Sequence, residues 1–318
     1  MVPENIQPHR SKNILFIGET NLSFFPFRPY AYYYYKHLIQ MGHQVRAIGS
    51  ETFPGGGPFG YQDIIQRCPG FQPDLILSVE SYPISLQFDP QSLAGMVSVP
   101  TAFLSFDTLL RYEDHARIGS HFDYVFLAHL EFLDYFCHHC RAKAYWLPYA
   151  CDPEIQRPLP GQVETLDLGF VGTAWSIPGL YQTRILYLQS LQKLFTCHFQ
   201  EWGTEAELTQ IYAKSKIVFN YGEGNGMNPR IFEALSYGKM LLTNRTATLG
   251  NILAENAHLV FYDNLPQLIE LVRFYLAHPE KRQKIAARGQ ARVWRKHTFY
   301  HRVDLLLRRI FGPDIYLS

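Results

Sequence analysis

Residues 220–244 read NYGEGNGMNPRIFEALSYGKMLLTN, and the fold of the second half of the chain follows from this stretch. Gly222, Gly224 and Gly226 make a turn that accepts positive φ and lets a ligand approach the backbone closely. Met227-Asn228-Pro229 then opens a helix, because asparagine is a favoured N-cap and proline fits the first helical position. The free N–H groups of that first turn, with Arg230 beside them, form a site for an anion such as a diphosphate. Glu233 lies one turn further on, within reach of sugar or ribose hydroxyls. The spacing of Arg230 and Glu233 would equally suit a solvent-facing ion pair. That reading leaves the glycine-rich turn unexplained, along with the apolar residues Ile231, Phe232, Ala234 and Leu235. The helix is expected to close near Gly238, with residues 240–243 as a buried strand.

Upstream, residues 166–171 read as a strand. It ends in Gly172-Thr173, which would bring backbone N–H groups and a hydroxyl to the phosphates. Residues 196–200 read as a second strand, and Asn220 and Tyr221 end a third. The first half has the same rhythm. Residues 13–18 and 44–48 read as strands around a helix at 28–41, and residues 74–79, 101–106, 123–127 and 143–146 read as four more strands. Repeated βαβ units imply a parallel, doubly wound sheet, with ligands at the carboxyl ends of its strands. Those ends carry Gly18-Glu19-Thr20-Asn21, Glu80 and Asp107. Pro148, Pro153, Pro158 and Pro160 mark a stiff crossing, after which the pattern restarts at Leu166. The expected domains are 1–150 and 151–298, with a closing helix in 299–318.

Bulk properties agree. The chain has 318 residues, 47% apolar and 18% charged, enough for two domains with sizeable cores. A net charge of +1 gives no field for nucleic acid. Five scattered cysteines do not form a secreted disulfide framework, which favours a cytoplasmic protein. The first twelve residues are polar, and no apolar run is long enough to span a membrane, so any membrane contact would be peripheral. The Gly55–Gly57 loop lacks the lysine and hydroxyl that a nucleotide-binding loop would place after it. Cys137-His138-His139-Cys140 has no second ligand pair, so no metal site is expected there. The aromatic run at residues 30–35 is expected to pack one face of the first helix. His297 and Arg302 suit packing or a ligand role equally.

Taken in order, these segments resemble the GT-B glycosyltransferases, specifically the group 1 branch that includes the CgeB-like proteins. Residues 220–244 resemble their donor-site signature, and residues 167–173 the strand and turn that open the second domain. Residues 147–153 resemble the interdomain linker, though Cys151 stands where many relatives carry valine or a small residue. Residues 278–282, Ile285, Ala286, Gly289 and 297–299 resemble the closing helices. The likeness covers residues 145–310 well and the first half in outline.

The resemblance implies an α/β fold of two Rossmann-like domains facing each other across a cleft, with the last helix packed back on the first domain. It implies transfer of a sugar from a nucleoside-diphosphate donor to an unknown acceptor hydroxyl, with retention and without a metal cofactor. Gly172, Thr173, Tyr221, Gly224, Asn225, Gly226, Met227, Asn228, Arg230 and Glu233 would hold the donor, with Trp202 stacked on its base. Arg230 and Glu233 would also act in catalysis, with Glu19 and Asp107 as candidates on the acceptor side. Retaining relatives carry Glu-x7-Glu, and Asn225 occupies the first of those two positions here. That substitution keeps a non-catalytic sugar-binding or scaffolding protein as an alternative, and a nucleotide-sugar 2-epimerase is another. The partners implied are a nucleotide sugar and a glycan, protein, lipid or small-molecule acceptor, without nucleic acid.

Overall fold

The computed structural model describes residues 3, 6–21, 29–173, 180–201 and 203–317; the side chains of Asn225 and Ala247 lie outside that description. The chain divides into two compact units, Met1–Pro148 with Phe299–Ser318, and Tyr149–Thr298.

The first unit runs β1 (Asn13–Ile17), α1 (Tyr30–Gln40), β2 (Gln44–Ile48), α2 (Tyr61–Arg67), β3 (Leu75–Val79), α3 (Ile84–Gln87), β4 (Thr101–Ser105), α4 (Thr108–Gly119), β5 (Tyr124–Leu127), α5 (Leu133–His139) and β6 (Lys143–Trp146). All six strands are parallel, in the order β2-β1-β3-β4-β5-β6. Every residue of LILSV in β3 and TAFLS in β4 is buried, as a central parallel strand covered on both faces requires. The edge strand QVRAI of β2 exposes alternate residues instead.

The second unit runs β7 (Leu166–Val171), α6 (Gln182–Gln192), β8 (Cys197–Gln200), α7 (Glu205–Lys214), β9 (Ser215–Asn220), α8 (Pro229–Ser236), β10 (Met240–Asn244), α9 (Ala247–Gly250), β11 (Val260–Tyr262), α10 (Leu265–Ala277) and α11 (Pro279–Lys296). Its parallel order is β11-β10-β9-β7-β8. In both sheets the first strand of the unit lies between its second and third. The order therefore reverses between β1 and β3, and again between β7 and β9, which is where open α/β sheets take ligands.

Helix α12 (Phe299–Phe311) belongs to the first unit and packs on α1. The Phe299 ring stacks on Tyr33 at 4.7 Å and meets Tyr34 edge-on at 5.5 Å. The aromatic run therefore forms core on its inner face. Arg302 is buried in the same unit and donates from Nε to the Pro148 carbonyl at 2.6 Å. In the second unit His297 is buried, and its carbonyl accepts from the Cys151 N–H at 3.0 Å.

Candidate ligand-binding site

The carboxyl ends of β7 and β9 meet around Arg230, the second residue of α8. Its burial follows from the helix: Ile231, Phe232, Ala234 and Leu235 turn the same segment into the core. Arg230 Nε donates to the Val171 carbonyl at 2.8 Å, and Nη1 donates to Asn220 Oδ1 at 2.7 Å. The guanidinium also lies 4.1 Å from the Phe170 ring centroid. Gly172 explains how so large a group fits. Its φ is 149°, and a Cβ there would stand 1.9 Å from Arg230 Nη2. Two edges of the guanidinium are thus committed to protein oxygens. Asn220 is buried as part of this lattice, with Nδ2 donating to Thr243 Oγ1 at 2.8 Å.

Sequence reasoning missed a second arginine. Arg184, in the first turn of α6, donates from Nη1 to the Thr173 carbonyl at 3.0 Å. Its Nε and Nη2 donate to the Tyr221 carbonyl at 3.2 and 2.9 Å. It therefore ties the loop after β7 to the loop after β9. Glu223 Oε1 stands 3.8 Å from its Nε. Tyr181, held at a φ of 64° that tyrosine seldom adopts, puts its ring 4.4 Å from the guanidinium. Burial and the positive charge of Arg230 pull the Arg184 pKa down to about 10. Two buried cations thus share one site with incomplete compensation. The only sequence signal was an arginine shortly after the Gly172-Thr173 turn.

The glycine-rich loop differs in detail from expectation. Only Gly224 of the three has positive φ, at 57°; Gly222 and Gly226 sit at −86° and −82°. Gly222 is needed for closeness instead, since a Cβ there would lie 2.2 Å from the Gly226 carbonyl oxygen. Asn244 clips the loop down, accepting from the Gly222 N–H at 2.7 Å and donating to its carbonyl at 3.0 Å. The backbone of Asn225 lies in the short turn Glu223–Asn225, and the Met227 side chain is buried beneath the loop. Asn228 does precede α8, but its side chain makes no capping bond. Both its Oδ1 and Nδ2 are buried and without a partner. Buried polar atoms are nearly always paired, so these mark where a ligand would complete the site.

Glu233 is half-buried one turn into α8. Burial, reinforced by Glu205 and opposed by Arg230, raises its carboxyl pKa from 4.5 to about 7. Between those values the folded site keeps a proton that the unfolded chain has lost, so stability from this group falls as pH rises through the window. Glu233→Gln should flatten that slope, read from urea midpoints on either side of it. Ionised Glu233 also offsets the arginine charge, so an anionic ligand should bind more weakly as pH passes about 7. The glutamine variant should lose that dependence. An unchanged pH profile in Glu233→Gln would place the titrating group elsewhere.

Not every expected residue is brought to this site. Thr173 contributes its carbonyl to Arg184, as above, and Tyr221 does the same while its ring packs on Tyr187 at 5.6 Å. Trp202 lies outside the described residues. Glu19 belongs to the first unit and is fully buried. Its Oε1 accepts from the Asn21 N–H at 2.8 Å, and its Oε2 accepts from the Ser50 N–H at 3.1 Å and from Ser50 Oγ. These bonds join the loops after β1 and β2. Asp107 is exposed at the start of α4. Its N–H, with that of Phe106, donates to buried Glu80 Oε2, at 3.0 and 2.6 Å. Burial and the nearby Asp107 hold the Glu80 carboxyl well above the usual range. In the Cys-His-His-Cys segment, the His138 and His139 Nδ1 atoms face backbone carbonyls of their own helix at 2.8 and 2.9 Å. Among the described residues no group of three or more histidine, cysteine or acidic side chains could hold a metal.

Comparison with known proteins places this site in context. A family model described as glycosyl transferase-like matches residues 157–308, which include every residue of the arginine site. No curated protein matches the chain. Among solved structures, HepE from Anabaena in complex with UDP and glucose is similar at TM-score 0.58 and 12% identity, covering 94% of this chain and 99% of that one. Sucrose-phosphate synthase from Thermosynechococcus elongatus gives 0.62 at 10% identity over 95% and 98%. An alpha-glucosyltransferase in complex with UDP and a 13-mer DNA gives 0.66 at 7% identity over 94% and 99%.

Proposed function

We propose that the chain is a glycosyltransferase of the GT-B fold that takes its sugar from a nucleoside-diphosphate donor held at the ends of β7 and β9. The transfer is retaining and independent of a divalent metal. The observation that carries the reading is the pair of incompletely compensated arginines, Arg184 and Arg230, beside the unpartnered Asn228 amide. A diphosphate supplies the missing negative charge and acceptors for the Asn228 amide. As the bond from the anomeric carbon to the phosphate oxygen breaks, charge builds on the leaving diphosphate. The two guanidinium groups and the first-turn N–H groups of α8 are already in place to stabilise it. The acceptor hydroxyl forms the new bond on the same face and passes its proton to the leaving phosphate oxygen, so no protein base is required. Glu233 accepts a hydrogen bond from a donor hydroxyl. Transfer should persist in EDTA, and an absolute need for manganese or magnesium would contradict this mechanism.

Asn228→Ala is the cleanest test of the site, because the native side chain makes no hydrogen bond that its removal could break. The apo melting temperature should stay unchanged. The shift produced by UDP-sugars, or by whichever nucleoside-diphosphate sugar stabilises wild type in a thermal screen, should shrink by an amount equivalent to about tenfold weaker binding. An undiminished shift would remove Asn228 from the site. No shift from any nucleotide sugar would overturn the donor assignment.

A further inference from the structure

Helix α11, PEKRQKIAARGQARVWRK, carries seven lysines and arginines against one glutamate, in a chain whose net charge is only +1. At 100° per residue, Lys281, Lys284, Arg288, Arg292 and Arg295 fall within an arc of about 80°, forming a stripe about 21 Å long. Lys281, Lys284, Arg288 and Arg295 are exposed. Arg292 is half-buried and donates to the Ile252 carbonyl at 3.1 Å. Arg282, on another face of the helix, pairs with Glu164 at 3.4 Å. The stripe's charges lie at like-charge spacings of three and four residues, which weaken a helix unless an outside anion meets them. Their field reaches a neighbour: burial, then Arg292, Arg288 and Arg295, lower the pKa of His258. Phe274, 40% exposed, sits beside the N-terminal end of the stripe with Lys281 Nζ 4.8 Å from its ring centroid.

We infer that this face of α11 docks on the phosphate headgroups of an anionic lipid surface. A straight row of cations on a rigid helix matches a plane of phosphates, and Phe274 at its end supplies an apolar ring for the interface. A nucleic-acid duplex would call for a broader positive field than a chain of net charge +1 provides. Docking here is independent of the transfer reaction and of the donor site.

The full chain should sediment with vesicles of equimolar phosphatidylglycerol and phosphatidylcholine, remain free of phosphatidylcholine vesicles, and be released as salt rises. Arg288→Glu with Arg295→Glu should weaken that binding at least about tenfold. The exposed pair Arg141→Glu with Lys193→Glu, an equal change in net charge, should leave it intact. Arg288→Lys with Arg295→Lys should retain it, and circular dichroism confirms that each variant is folded. Failure of wild type to bind anionic vesicles, or equal loss in the control pair, would overturn the inference. So would displacement from the vesicles by duplex DNA at matched phosphate concentration, which would assign the stripe to nucleic acid.

Discussion

Arg230→Ala should abolish donor binding and lower transfer by about two to three orders of magnitude, the loss expected when a preorganised charge is removed from a developing anion. The same change should destabilise the second unit by roughly 2–4 kcal/mol. It leaves the Val171 carbonyl and buried Asn220 Oδ1 without their donor and removes the contact with Phe170. Arg230→Lys separates the two effects. Lysine keeps the charge but cannot reach Val171 and Asn220 from one planar fork, so it should recover part of the binding and little of the stability. Unchanged nucleotide-sugar affinity in a folded Arg230→Ala variant would show that the diphosphate does not rest here.

The second large effect is expected at Arg184. Its three hydrogen bonds end on the Thr173 and Tyr221 carbonyls, so it sets the separation of the two loops that border the donor. Arg184→Met keeps most of the volume and removes every one of those bonds. Donor KM should rise about tenfold or more, together with a loss of roughly 1–3 kcal/mol in stability. Glu223 should feel the change, because Arg184 is its charge partner at 3.8 Å. Arg184→Met combined with Glu223→Gln should therefore be less damaging than the sum of the single changes, with a coupling of about 0.5–3 kcal/mol. Strict additivity in binding and stability would mean that the pair does not operate as a unit.

The two arginines show how far the sequence could be read. Arg230 stood out because its surroundings are local: a glycine-rich turn, an N-cap asparagine and an N1 proline lie within ten residues of it. Arg184 did not stand out, since its partners are backbone carbonyls 11 and 37 residues away. Carbonyls belong to every residue and leave no mark in a sequence. Glu19 was legible only in part. Its place after the first strand was legible, but the serine that claims one of its oxygens is 31 residues away. The strands were readable because parallel strands buried on both faces become unbroken apolar runs, as in LILSV and TAFLS. Glycine content alone could not distinguish the positive φ of Gly224 from the close backbone approach that requires glycine at 222.

Hydrogen–deuterium exchange of the wild-type chain, with and without a saturating nucleoside-diphosphate sugar, tests the central claim most directly. The account predicts added protection in residues 172–173, 181–184 and 221–230, with Asn228→Ala needing about tenfold more ligand to reach the same protection. Protection confined to the first unit, or none in these segments when the sugar nucleotide is demonstrably bound, would contradict a donor site at the ends of β7 and β9.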